Sequence, residues 1–202
     1  MEKKSHSLRE SNIELLRIVA MFLVLTVHAD FLSLGTPTQS ELQIAPVASC
    51  TRFFIESLSI VCVNVFVLIS GWFGIKASTK SFLRFIFQCF FFLIGIYAAS
   101  ILFGHNTLSL RGIFKCTFSV NWFITAYICL YILAPALNAF VRIADKSQLQ
   151  LFLLVFFTFQ TLYGWIGGQL FSNGYSTLSF IGLYILGRYL NLYSRLRATP
   201  PV

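Results

Sequence analysis

The chain has 202 residues, of which 57% are hydrophobic and 11% charged, and its mean hydropathy is +0.78. Several separate apolar runs of about twenty residues carry Phe, Leu and Ile on every azimuth, which excludes a soluble domain with polar helix faces and an alternating porin-type barrel. A net charge of +8 would suggest nucleic acid as partner in a soluble protein, but the basic residues fall mainly between the apolar runs, where they report topology instead.

The predicted fold class is an all-α, polytopic transmembrane helical bundle of about six spans, in one domain over residues 1–202. The spans are placed at 12–33, 53–75, 82–104, 120–139, 149–171 and 175–193. With a cytoplasmic N-terminus, eleven basic residues lie inside: Lys3, Lys4, Arg9, Lys76, Lys80, Arg84, Arg142, Lys146, Arg188, Arg195 and Arg197. Three, Arg52, Arg111 and Lys115, lie outside, and this excess sets the orientation.

The first apolar segment contains Arg17 and His28, and an ionisable group in hydrocarbon marks a functional position by default. Their spacing of eleven returns nearly to the starting azimuth after three helical turns, a rise of about 16 Å, so both side chains face one groove. A guanidinium near one membrane face and an imidazole further along the stripe suit an anionic ligand and a proton transfer. The plainer alternatives are an interfacial anchor paired with Glu14 for Arg17, and an interhelical hydrogen bond for His28. Asp30 and Glu56, near the outer ends of the first two helices, are interfacial carboxylates either of which could orient the imidazole. Glu14, Arg17, His28 and Asp30 also interrupt the segment too often for a cleaved signal peptide, so it is read as a retained helix.

The connection 33–52, with Pro37, Pro46 and a Thr/Gln/Ser mixture, reads as an irregular outer loop that a substrate from outside would meet first. The second span holds Asn64, which needs a partner in so apolar a run, and ends in Ser70-Gly71, where small side chains admit a neighbouring backbone or a slender ligand. The tight connection 76–80 predicts antiparallel packing of the second and third helices. In the fourth span Tyr127 and Tyr131 lie one turn apart, ahead of Pro135, which kinks or ends the helix. Trp122 fits an interfacial aromatic belt.

Cysteine spacing defines no metal site or redox motif. Cys62, Cys89 and Cys129 read as packing residues, while Cys50 and Cys116 fall in predicted outer loops where a disulfide is compatible with an oxidising compartment. Nucleophile-elbow, metalloprotease, phosphate-loop and dinucleotide signatures are absent, so metal or nucleotide-triphosphate catalysis has no sequence support.

Four segments in order carry a resemblance: Arg17-x10-His28, Val65-Phe-Val-Leu-Ile-Ser70-Gly71, Trp122-Phe through Tyr131 to Pro135, and Tyr184-Ile-Leu-Gly187-Arg-Tyr189. Over residues 11–193 the chain resembles the integral-membrane acyltransferase 3 family, which O-acetylates cell-surface glycans. The resemblance implies transfer of an acetyl group from cytoplasmic acetyl-CoA to a hydroxyl of a polysaccharide, peptidoglycan or lipid-linked sugar, in the bacterial cytoplasmic membrane. It implies His28 as base or transient acyl carrier, Arg17 as holder of CoA phosphate or oxyanion stabiliser, and Arg84 as a second phosphate contact. Ser70, Gly71, Trp122 and Tyr131 would support substrate or structure, with no metal and no nucleic acid involved.

Two features depart from the family. Members often carry Arg-x-x-Arg at the start of the third helix, where this chain has Lys80, Arg84 and Gln88. Members have about ten spans, so six correspond to an N-terminal portion. A transporter or flippase component with a polar pathway through Arg17 and His28, or an inactive truncated homologue, are the alternatives.

Overall fold

The computed structural model describes residues 11–105, 107–113, 121–167 and 170–194. Cys116, and with it the candidate pairing to Cys50, lies outside the described residues, as do His6, Lys115, Arg195 and Arg197. The described chain is all-helical: α1 (Ser11–Ala29), α2 (Gln39–Ile44), α3 (Pro46–Ser59), α4 (Cys62–Phe73), α5 (Thr79–Leu102), α6 (Trp122–Ile143), α7 (Lys146–Trp165) and α8 (Thr177–Tyr193). Among the described residues, four segments are long and apolar enough to cross a membrane: Asn12–Ala29, Pro46–Phe73, Thr79–Leu102 and Trp122–Ile143. Helices α7 and α8, of 20 and 17 residues, complete a polytopic bundle of about six spans.

Local sequence sets the helix ends. Thr38 and Glu41 form a reciprocal capping box that starts α2, and Pro46 starts α3, where its missing N–H costs nothing. The connection expected to be irregular is therefore partly helical: its Thr and Gln/Ser content is cap chemistry. Asp145 and Gln148 form a second capping box at α7, and Ser176 caps α8. Pro135 does not end α6, which continues to Ile143. The hydrogen bond that the proline cannot donate would have gone to the carbonyl of Tyr131, one turn earlier.

The second apolar segment is broken at Ile60–Val61, between α3 and α4. A backbone break at membrane depth needs its polar groups satisfied from elsewhere. The Tyr175 hydroxyl, 115 residues away in sequence, donates to the Ile60 carbonyl.

The centre of the bundle is the crossing of α4 and α8. A Cβ at Gly71 would run into the Tyr184 carbonyl oxygen, and one at Gly187 into that of Leu68. Val67, Leu130, Phe180 and Tyr184 fill the core around this crossing. At the same end, Tyr184 receives the Ile75 N–H at 2.8 Å and donates to Asn138 Oδ1 at 2.8 Å, while Asn138 Nδ2 donates to the Ile75 carbonyl at 3.0 Å. This closed set fixes the chain leaving α4, where Gly74 has φ +71 in the left-handed region.

The expected pairing of α4 with α5 is not what forms. The small-residue face of α4 is taken by α8, and α5, which buries none of its residues, leans on α6 through the Phe82–Tyr131 and Phe85–Tyr127 ring contacts. The tight connection survives because Tyr131 clamps it, accepting the Ser78 N–H at 3.0 Å and donating to the Ser78 carbonyl at 3.1 Å.

Candidate functional site

Standing α5 away from α4 leaves space, and a half-open cavity of about 1020 Å³ lies between α1, the broken α3–α4 segment, α5, α6 and the turn 172–175. Its walls are mainly apolar, built by residues such as Met21, Val24, Phe66, Ile69 and Phe123. A pocket of this size, with a few polar groups on apolar walls, has the form of a small-molecule site.

Arg17 and His28, on α1, both line the cavity. Arg17 donates to Glu14 Oε1 at 3.2 Å, and its guanidinium lies 5.3 Å from the centre of the Phe73 ring. The Phe73 contact places Arg17 at the end of the cavity where α4 finishes. One ion pair occupies few of the five guanidinium donors, and the half-exposed remainder can hold an anion. His28 lies in the last turn of α1, towards the opposite end, and is exposed. Among the described residues no hydrogen bond or ion pair ties down its imidazole, so both ring nitrogens are open to a ligand.

The two carboxylates expected to orient His28 have different fates, and neither hydrogen-bonds to its imidazole. Asp30 is engaged by Arg52, whose Nε and Nη2 both lie 2.6 Å from Asp30 Oδ1, and whose Nη2 also donates to the Gly35 carbonyl at 2.6 Å. Glu56 lines the cavity, with its Oε2 buried and lacking a hydrogen-bond donor.

The other polar groups come from several helices. Ser70 donates to the Phe66 carbonyl at 2.9 Å and shares a 3.2 Å contact with the Tyr127 hydroxyl, which bridges α4 and α6 across the wall. Trp122 sits edge-on to Tyr175, centroids 5.2 Å apart, and both line the end away from Arg17. Ser172 joins them with φ +44, a left-handed backbone uncommon for a residue with a Cβ.

Of the residues singled out in the sequence, Arg17, His28, Ser70 and Trp122 line the cavity, whereas Arg84, Gly71 and Tyr131 do not. Gly71 lies behind the wall against α8, Tyr131 holds the Ser78 connection, and Arg84 is exposed on α5 beside the lining residue Phe85. Tyr175 and Ser172 carried no sequence signal, because a turn between two spans reaches the cavity only once the chain folds. Tyr127 did carry one: it repeats the phase of Phe123, and both line the cavity. Among the described residues no three His, Cys, Asp or Glu side chains gather as a metal site.

A family model described as an acyltransferase domain, that of acyltransferase 3, matches residues 10–199. No curated protein and no solved structure matches the chain.

Proposed function

The chain belongs to the acyltransferase 3 family and is a multi-pass membrane acyltransferase, and from that premise we propose that it moves an acetyl group from acetyl-CoA to a hydroxyl of a surface polysaccharide, peptidoglycan or lipid-linked sugar. The observation that carries this reading is the single cavity shared by Arg17 and His28, with a cation towards one end and an imidazole towards the other. With the N-terminus on the cytoplasmic side of a bacterial cytoplasmic membrane, Arg17 faces the compartment where acetyl-CoA is made, and the Trp122 end faces the acceptor.

The eleven-residue separation of Arg17 and His28 corresponds to about 16 Å along α1. One donor therefore engages both groups only if a slender arm separates its phosphates from its thioester, as in coenzyme A. Arg17 anchors phosphate in this scheme and leaves the oxyanion to other donors. Arg84, at the same end of α5, is a second phosphate contact that would reach the donor outside the cavity.

His28 acts as general base. Its free ring nitrogen takes the proton of the acceptor hydroxyl as the oxygen attacks the thioester carbonyl, a contribution of about 10²–10⁴ in rate. The carbon–oxygen bond forms, the carbon–sulfur bond breaks, and the imidazolium returns the proton to the departing thiolate. A route through acetyl-His28 reaches the same products in two steps: the imidazole nitrogen bonds to the carbonyl carbon as the carbon–sulfur bond breaks, then the acceptor oxygen bonds to that carbon as the carbon–nitrogen bond breaks, the hydroxyl proton ending on the thiolate. The apolar walls keep water from the thioester, while Ser70 and Tyr127 supply hydroxyls on the path between the two ends.

The test is glycan mass spectrometry on an acetyltransferase-deficient host expressing the chain, beside His28→Ala. Addition of one acetyl group, lost in the variant, is the expected result. Ordinary acetylation by the variant would remove His28 from the chemistry. Substrate movement across the membrane without covalent change would favour a transporter.

A further inference from the structure

Glu56 is the only carboxylate among the described residues lining the cavity. Arg52, four residues earlier on α3, occupies the position from which a helical ion pair with Glu56 would form. Its guanidinium is turned away instead, held by Asp30 and the Gly35 carbonyl. The Tyr175 hydroxyl, on the same wall, is committed to the Ile60 carbonyl. Glu56 Oε2 is consequently buried without a donor, and Asn64 Oδ1, two turns further along beside Gly174, is in the same state.

A buried acceptor on the cavity wall that neither Arg52 nor Tyr175 satisfies is complementary to a ligand group that donates. Beside Glu56, Trp122 and Tyr175 offer aromatic surface for the apolar part of such a ligand. Buried acceptors are satisfied by hydrogen bonds, from protein, water or ligand, and an anion brought here would meet a carboxylate instead of a donor.

Building on the acyltransferase reading above, we infer that Glu56 determines acceptor specificity: its buried oxygen takes a hydrogen bond from a second hydroxyl or amino group of the acceptor, selecting uncharged or cationic acceptors over anionic ones. The reacting hydroxyl goes to His28, and the neighbouring donor group goes to Glu56. Asp30 is excluded from this role because Arg52 already occupies it.

The experiment uses the full chain in lipid nanodiscs with three tetrasaccharide probes: neutral cellotetraose, cationic tetraglucosamine and anionic tetragalacturonate. Equilibrium binding and acetyl transfer from labelled acetyl-CoA are measured in parallel for the native chain and Glu56→Gln. The expected result is at least about tenfold tighter binding of the neutral or cationic probe than of the anionic one, with that preference lost in E56Q. Equal binding of all three, binding of none, or a preference kept by E56Q overturns the inference. So does a fall in E56Q turnover with unchanged acceptor affinity, which marks a group acting through His28. If E56Q does not elute as a folded species, Glu56→Ala, which removes both the charge and the acceptor oxygen, is read by the same criteria. Glu56-dependent binding without acetyl transfer by the native chain would refute the acyltransferase reading and leave the inference intact, so the two fail separately.

Discussion

Arg52 reaches from α3 to Asp30, just beyond α1, with Nη2 2.6 Å from Oδ1, and this pair takes out of play the carboxylate nearest His28 in sequence. With 24% and 16% of the two side chains exposed, the pair lies between a surface ion pair and a buried one. Removing either partner is expected to cost about 1–2 kcal/mol, allowing for solvent screening. Arg52→Ala and Asp30→Asn should lower the melting temperature in detergent by similar amounts, and the double variant by little more than either alone. Additive losses would show that the two residues act separately.

His28 and Arg17 should divide their effects between chemistry and donor binding. His28→Ala is expected to lose about 10²–10⁴ in turnover, with membrane insertion intact, because the exposed imidazole packs in no core. Arg17→Ala should chiefly raise the KM for acetyl-CoA, and Arg17→Lys should recover it only partly, since one ammonium does not reproduce the guanidinium fork. A kcat loss in Arg17→Ala with unchanged donor KM would move Arg17 from anchoring to the reacting centre.

The α4–α8 crossing tolerates no side chain at its two glycines. Gly71→Ala and Gly187→Ala should each destabilise the bundle by about 1–3 kcal/mol, because the obstacle is a neighbouring backbone carbonyl that cannot swing aside. Gly95→Ala on α5 is the control: nothing lies within 4 Å of its new Cβ, and loss of backbone freedom should leave stability unchanged or slightly raised. Thermal unfolding of all three in the same detergent separates close packing from helix propensity.

What the sequence made legible follows from periodicity and cost. Apolar run length gave the bundle, and the eleven-residue spacing put Arg17 and His28 along one stripe, because both depend on a single helix. The departures are relations between helices. The tight 76–80 connection suggested that α5 packs on α4, but loop length constrains only the joined ends, and the Gly71 and Gly187 faces gave that surface to α8. Likewise Asp30 and Glu56 looked equivalent in sequence, and only the direction of the Arg52 side chain distinguishes them.

Tyr184 illustrates the same point from the signature Tyr184-Ile-Leu-Gly187-Arg-Tyr189, whose tyrosine lies at the centre of the Ile75–Asn138 set. Tyr184→Phe would leave a half-buried backbone N–H and an amide oxygen without their partner, at about 1–3 kcal/mol. The expected readouts are a lower melting temperature and faster proteolysis at the α4–α5 connection. An unchanged melting temperature would show that water replaces the hydroxyl there.

The outer capping box gives a pH prediction with a definite sign. Glu41 accepts the Thr38 backbone N–H at 2.7 Å and the Thr38 hydroxyl at 2.9 Å, and these hydrogen bonds, with a smaller contribution from Arg52, hold its carboxyl below the ordinary value of 4.5. A lowered folded-state value means that the unfolded loop binds a proton first as pH falls, so the cap is fully present above 4.5 and is lost as pH drops through the lower folded value. Protease nicking within 33–45, measured on intact vesicles, should therefore stay constant from neutral pH down to that range and rise below it. Glu41→Gln, which can still accept from Thr38 but does not titrate, should show a flat profile over the same range; a rise identical to that of the native chain would assign the acid sensitivity to another group.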